Sequence, residues 1–252
     1  MNKNLKRTIL TGLLLATTSV MAGVNMTKTE INNDLNLFPK MLKNKALSVT
    51  KSLKENGFDH LELMAKTPRG NQKFEIFVMH GDNPTMFIGK AFKTDGTPYT
   101  LPVNTKLVKD SVAFSTGTGP EQLYLVTDPE CPYCQRLESK ISKEALKKYT
   151  INVIPMPLSF HRDSKSMLYW VLSAKTNSEK ADRMHNVMTG NTEYKEFKVS
   201  KENKDKIDKI LKKSAVAASE LGAKGTPSLF GPDMKPVSSS ILMKKVEVKK
   251  VK

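Results

Sequence analysis

Two cysteines separated by two residues, Cys131 and Cys134, limit the possible folds of this chain more than any other feature, and they are its only cysteines. They follow the apolar run Leu123 to Thr127, which is predicted to be a buried strand. Residues 132 to 148 are predicted to be a helix, so the pair lies at the start of that helix. The first sulfur therefore lies at a helix N-terminus, where unpaired N–H groups and the helix dipole stabilise negative charge. A cysteine placed there has a lowered pKa and forms the nucleophilic thiolate more readily.

This spacing assigns the two sulfurs different roles. We expect Cys131 to be the attacking thiolate and Cys134, one turn into the helix and more buried, to resolve a mixed disulfide. Pro132 suits the first helical turn because it has no N–H to leave unpaired. The redox-active disulfide Cys131–Cys134 needs no added group, so we predict no cofactor.

Other uses of a Cys-x-x-Cys pair fit this chain less well. A zinc site would need further ligands, but there is no second cysteine pair, and metal-like spacing is lacking among His60, His80, His161 and His185. A c-type haem requires a histidine after the second cysteine, and position 135 is Gln. A structural disulfide here would close a very small loop and stabilise little. We therefore predict redox chemistry and no metal.

The first 22 residues have the organisation of a secretory signal peptide. Lys3, Lys6 and Arg7 precede an apolar run from Ile9 to Val20, and Ala22 ends an acceptable cleavage site. An uncleaved membrane anchor is the alternative, but the run is Thr-interrupted and shorter than the roughly 20 residues that a spanning helix needs. We therefore expect cleavage and export to a compartment where disulfides persist.

The formal net charge of +16 raises the question of a nucleic-acid partner. The lysines are spread along the chain, and their densest cluster, residues 244 to 252, contains no aromatic side chain that could stack on a base. We predict a solvated basic surface and no nucleic-acid partner.

The N-terminal part, residues 23–103, is predicted to be a helix followed by a small antiparallel sheet. The helix is expected from Pro39, with Leu42, Ala46, Val49 and Leu53 on one face. Turn sequences then separate three β-like runs, which are residues 61–64, 74–80 and 86–92. Residues 104–119 contain no Gly or Pro before position 117 and are predicted to include a linker helix.

After a break at residues 115–120, strands and helices alternate. The predicted order is strand 123–127, helix 132–148, strand 151–157, helices 165–188 and 203–220, and closing strands 228–230 and 235–238. This order is expected of a thioredoxin-like α/β domain with a helical insert, here residues 120–252. The fold class is therefore a small α+β unit joined to an α/β unit.

A second motif, Gly225-Thr226-Pro227 before a predicted strand, makes a resemblance specific. With this motif, Thr127-Asp128 and the Cys-Pro-Tyr-Cys run, the chain resembles the DsbC/DsbG family of periplasmic thiol:disulfide interchange proteins. The resemblance implies that Pro227 is a cis-proline beside the cysteine pair and that Thr226 and Pro227 contact substrate, with the Thr226 backbone free to pair with an extended client. From their positions in the motif, Asp128, Pro132 and Tyr133 are expected to tune the active site. Tyr133 would do so sterically, and Asp128, with Glu130, either by proton transfer to Cys134 or only as a partner of the helix dipole.

Further expectations follow from this resemblance. Residues 23–103 would be a dimerisation domain of a V-shaped homodimer, and unfolded or misoxidised exported proteins would be the clients. The predicted activity is isomerisation or reduction of non-native disulfides, with recycling by a DsbD-like membrane thiol reductase. The alternatives are a DsbA-like oxidase recycled by a membrane oxidase, a holdase chaperone that uses its cleft, and reductive rescue of sulfenylated cysteines.

Overall fold

The computed structural model describes residues 24–68 and 70–243. The predicted signal peptide, residues 1–22, and the basic residues 244–252 lie outside the described residues. Among the helices that are described, none combines the length and apolar character needed to cross a membrane. The chain divides into two compact units, the first ending at Pro102 and the second beginning at Val103.

The first unit is a five-stranded antiparallel sheet with two helices. The strands are hydrogen-bonded in chain order, so each pairs with its sequence neighbour. The elements are β1 (Val24–Asn25), α1 (Lys28–Leu37), α2 (Pro39–Leu42), β2 (Leu47–Lys54), β3 (Asp59–Thr67), β4 (Gly70–Met79) and β5 (Thr85–Ile88).

The core of this unit lies between the helices and one face of the sheet. Leu61, Leu63, Ile76 and Val78 are fully buried on β3 and β4, and Ile31 and Leu35 of α1 pack against that cluster. Alternate residues of a strand face the same side, so these four residues form one apolar surface that the helices cover.

The helix predicted from Pro39 through Leu53 is wrong. Only Pro39–Leu42 is helical, and residues 47–54 form β2 instead. The long helix lies earlier, at Lys28–Leu37, where Thr27 and Glu30 form a capping box. The apolar residues between 42 and 53 have helical spacing, but Val49 and Leu53 also fit a strand packed on β3, and the sheet pairing decides the outcome.

The second unit is a four-stranded mixed sheet with helices on both faces. Its elements are α3 (Thr105–Lys109), β6 (Phe114–Thr116), β7 (Glu121–Thr127), α4 (Pro132–Glu138), α5 (Lys143–Lys148), β8 (Tyr149–Pro155), α6 (Ser164–Leu172), α7 (Asn177–Met188), α8 (Lys201–Glu220) and β9 (Ser228–Phe230). The strand order is β6-β8-β7-β9, with β7 and β8 parallel and the outer two antiparallel to their neighbours.

Apolar clusters cover both faces of this sheet. One contains residues from α6, α7 and α8 together with Phe114, Cys131 and Cys134, and another joins α8 to Tyr124, Val126 and other residues. The cysteine pair is therefore part of the core beneath the helical insert. Strands buried on both faces explain why β7 and β8 are nearly continuous apolar runs.

The linker helix predicted within residues 104–119 is wrong over most of its length. Only α3 is helical, and β6 follows it, paired antiparallel with β8. Phe114 is buried in the core of the second unit, and the Ala113 N–H donates to the Val153 carbonyl, so the chain is extended there. This segment belongs to the second unit.

Three further boundaries differ from the predictions. The helix expected over residues 132–148 is broken into α4 and α5, because Ser142 donates its N–H to the Leu242 carbonyl and caps α5 with its hydroxyl. The helix expected over 165–188 is likewise two helices, α6 and α7, with a new capping box at Thr176 and Glu179. The strand expected over 235–238 is reduced to a single bridge between Phe230 and Pro236.

Candidate active site

The turn between β7 and α4 carries the cysteine pair. Cys131 is the N-cap residue of α4 with an extended backbone, and Pro132 occupies the first helical position. The Gln135 N–H donates to the Cys131 carbonyl at 3.0 Å, which closes the first helical turn. Sequence and structure agree here because the preference of Pro for the first turn is a local property of the chain.

The Cys131 sulfur lies against the loop that precedes β9. Its Sγ is 3.4 Å from the carbonyl oxygen of Thr226, although the two residues are 95 positions apart in the chain. Burial raises the pKa of the Cys131 thiol, but the polar contacts with Thr226 and with the backbone N–H of Cys134 lower this pKa by more, so that the net shift is downward. Cys131 is therefore the sulfur that forms the thiolate more readily.

Cys134 differs from Cys131 in the direction of its pKa shift. Cys134 is 2% exposed and Cys131 4% exposed, and both pack in the core beneath the helical insert. Burial raises the pKa of the Cys134 thiol to about 11, against the opposing effect of hydrogen bonds with the Thr127 side chain and the Asp128 backbone. At neutral pH this sulfur therefore stays a thiol while Cys131 is the nucleophile.

The structure brings Thr226 and Pro227 to the cysteine pair, next to an edge strand. The Thr226–Pro227 peptide bond is cis, as the resemblance implies, and β9 begins at the next residue. In the sheet β9 pairs with β7, and its other side carries the single bridge between Phe230 and Pro236. The Ser228 hydroxyl donates to the Gly225 carbonyl at 2.7 Å, which holds the loop in shape.

Asp128 contacts the cysteine pair through its backbone, and its side chain points elsewhere. The carboxylate is fully buried and accepts hydrogen bonds from the backbone N–H groups of Glu130 and Leu158, and from the side chains of His161 and Ser164. Its four partners make Asp128 an anchor between the cysteine loop and the start of α6.

Glu130 adds a second anchor between the same two elements. One oxygen of its carboxylate accepts the N–H groups of Asp163 and Ser164, both at 2.7 Å, at the N-terminus of α6. An acidic side chain at a helix N-terminus is stabilised by the unpaired N–H groups and the dipole. Sequence reasoning missed His161, Asp163 and Ser164, and their distance of some 30 residues from the cysteines left no local signal.

Exposed aromatic rings surround this region. Tyr133, between the two cysteines, is 67% exposed, and the Arg136 guanidinium lies 5.7 Å from its ring centre. Phe160 is 73% exposed and its ring meets His161 edge-on at 4.5 Å. His161 is hydrogen-bonded to Asp128, so Phe160 directly precedes a residue that is held to the loop that carries Cys131.

Comparisons with solved structures return distant likenesses. The DsbA2 thiol-disulfide exchange protein of Wolbachia pipientis is 15% identical over 54% of this chain and 89% of its own, with a TM-score of 0.42. DsbG of Helicobacter pylori is 15% identical over 79% of this chain and 99% of its own, with a TM-score of 0.40. ScsC of Proteus mirabilis, in a compact conformation, is 21% identical over 53% of this chain and 69% of its own, with a TM-score of 0.43.

A search of curated proteins found no match. The family comparison is decisive, because the thioredoxin-like domain family matches residues 108–238, which is more than half of the chain. The matched region begins within α3 and contains β6, the cysteine pair, the helical insert and the cis-proline loop. It confirms the predicted fold class, and the chain therefore belongs to the thioredoxin-like domain family.

Proposed function

We propose that this protein is a thiol:disulfide oxidoreductase that isomerises or reduces non-native disulfides in exported proteins. One observation carries the proposal: Cys131 has a lowered pKa at the N-terminus of α4 and faces Thr226, while Cys134 remains a buried thiol behind it. This division of roles is what disulfide exchange requires, since one sulfur must attack and the other must wait.

The reaction starts with the Cys131 thiolate, which attacks one sulfur of a client disulfide. A bond forms between Cys131 and that sulfur, the client disulfide breaks, and the other client sulfur leaves as a thiolate. A second client thiolate can then attack the bound client sulfur and release Cys131, which rearranges the client without net transfer of electrons. Alternatively, Cys134 loses its proton and attacks Cys131, so that the enzyme is oxidised and the client is released with two thiols.

The raised pKa of Cys134 favours the first of these outcomes. With its pKa at about 11, Cys134 attacks slowly at neutral pH, and the mixed disulfide persists long enough for a client thiol to react. The Thr226 backbone and the exposed rings of Tyr133 and Phe160 are the proposed contacts with an extended client segment.

We also propose that the protein acts as a homodimer in the periplasm. β5 is an edge strand of the first unit. Phe87 and Ile88 on this strand, and Phe92 in the segment that follows, are each more than half exposed. Large apolar side chains on an unpaired edge favour association with another chain. The signal-like residues 1–22 support export, and a DsbD-like membrane thiol reductase is the proposed source of electrons for the reductive cycle.

The lowered pKa of Cys131 also favours a second candidate, a DsbA-like oxidase. A stabilised thiolate makes the reduced enzyme more stable and the disulfide a stronger oxidant. The isomerase or reductase and the oxidase differ in the redox state of the cysteine pair in the cell. Quenching with acid and alkylation with a mass-tagged thiol reagent should find the pair mostly reduced if the protein isomerises or reduces, and mostly oxidised if it is an oxidase.

Refolding of scrambled ribonuclease tests the main proposal. We expect C131S to lose activity completely, whereas C134S should accumulate mixed disulfides that are visible on non-reducing gels. S139A, a change at the end of the same helix, serves as the matched control and should retain activity. Full activity of C131S would exclude the proposal.

A further inference from the structure

A second group of ionisable side chains meets in the first unit, outside the thioredoxin-like domain. Asp34 lies on α1, Asp59 begins β3, and His80 directly follows β4. Nε2 of His80 is 2.9 Å from Oδ2 of Asp59 and 3.3 Å from Oδ1 of Asp34. Within residues 24–68 and 70–243, this is the only set of three His, Cys, Asp or Glu side chains whose ligand atoms all lie within 4.8 Å of one another.

The Asp34 carboxylate is buried and incompletely paired. Its side chain is 1% exposed, Oδ1 points at His80, and Oδ2 has no hydrogen-bond partner among the described residues. A buried carboxylate oxygen without a donor is costly, and such atoms in proteins usually face a ligand, an ion or water. The Asp34 side chain therefore points to a group that completes this cluster.

We propose that Asp34, Asp59 and His80 bind a divalent first-row transition-metal ion of the Zn²⁺ type. One imidazole nitrogen and two carboxylate oxygens are accepted ligands of such ions. Tetrahedral Zn²⁺ with bonds of about 2.0–2.1 Å holds its ligand atoms about 3.3 Å apart. From the two distances between His80 and the carboxylates, only a small outward movement of His80 is needed to reach that geometry.

Access and charge also suit a cation. The His80 side chain is half exposed, which leaves an open side for entry of the ion and for a water as fourth ligand. Lys54 is the cross-strand partner of Asp59, but its ammonium is paired with Glu30 at 3.1 Å. The two buried carboxylates therefore match the charge of a divalent ion, which would tie α1 to the adjacent ends of β3 and β4.

Metal titration tests the site apart from the thiol chemistry. The full-length chain without an affinity tag should carry C131S and C134S, so that thiolates cannot bind the metal. We expect one equivalent of Zn²⁺ by calorimetry and, with Co²⁺ as the probe, the visible absorption of a tetrahedral site without thiolate ligands. H80A and D59N should weaken Zn²⁺ binding by at least about tenfold.

The matched control is H185A. His185 is also half exposed and lies 3.1 Å from Glu138, but that pair includes no buried carboxylate. H185A should therefore bind Zn²⁺ like its parent. D34N, which is nearly isosteric, covers the case in which H80A or D59N fails to fold by circular dichroism. Three results would each overturn the proposal, whatever the outcome of the disulfide assays. They are the absence of stoichiometric Zn²⁺ binding, a loss of Zn²⁺ affinity in H185A equal to that in H80A, and unchanged Zn²⁺ binding in folded D34N.

Discussion

Two residues of the same type, three positions apart, have opposite acid–base properties in this protein. Cys131 stands at a helix N-terminus, where hydrogen bonds to its sulfur outweigh burial and lower its pKa. Cys134 lies one turn further on, in the core, where burial raises its pKa to about 11. The difference comes from position along the first helical turn, because only the N-terminal N–H groups are free to bind a thiolate.

This difference predicts selective alkylation. A thiolate forms as the pH rises past the pKa, so iodoacetamide should label the single cysteine of C134S at neutral pH at least about 100-fold faster than that of C131S. The rate for C131S should keep rising with pH up to about 11. Mass spectrometry of samples taken at several pH values measures both rates. Labelling in urea is the control, and similar rates in the folded variants would contradict the assignment.

At the scale of elements, two carboxylates, the buried Asp128 and the half-buried Glu130, hold the cysteine loop to the helical insert. Asp128 accepts hydrogen bonds from four donors, and Glu130 caps α6. These contacts join β7, the loop after β8 and α6, which are adjacent only in the folded chain. The geometry of the nucleophile thus depends on side chains far away in sequence.

Removal of the Asp128 carboxylate should destabilise the second unit. D128A leaves buried donors such as Ser164 without an acceptor, so we expect a loss of about 2–4 kcal/mol in the free energy of unfolding. Trp170, the only tryptophan, lies buried in this unit and reports its unfolding by fluorescence in urea. D182A, at an exposed position on α7, is the control, and a loss no greater than in that variant would refute the anchoring role.

Two chain segments that approach closely allow a second prediction at the scale of elements. Gly119, just before β7, lies so near the backbone of Lys148 at the end of α5 that a Cβ atom would overlap it. G119A should therefore cost at least about 2 kcal/mol of stability in the same urea assay, because backbone atoms cannot move aside like a side chain. G225A is the comparison, since a Cβ there meets nothing within 4 Å. Equal stability of the two variants would argue against this packing.

For the whole molecule, the proposed dimer depends on the apolar edge of the first unit. Charge at the centre of that edge should separate the subunits, because a buried lysine without a partner is costly. We expect the mature chain, from residue 23, to have the mass of a dimer by light scattering and I88K to have the mass of a monomer. V216K places the same charge on an exposed valine of α8 and should stay dimeric. A monomeric parent would remove the dimer proposal.

The cysteine motif could be interpreted from its own residues, because its properties lie within a few consecutive positions, whereas the role of the Gly-Thr-Pro loop was expected only from the family resemblance. A cysteine before a proline at the start of a helix indicates a reactive thiolate without any long-range contact. The alternation of strands and helices after residue 120 likewise predicted the fold class that the family match confirms.

Tertiary structure decided the features whose parts are distant in the chain. Residues 42–53 fit both a helix and a strand, and only pairing with β3 selects the strand. Phe114 becomes part of β6 because β8 lies beside it. The histidines lacked metal-like spacing in the sequence, yet the ends of β3 and β4 and the helix α1 bring His80 to Asp34 and Asp59. A local sequence pattern predicts properties that depend on neighbouring residues, whereas a site built from three elements exists only after those elements pack together.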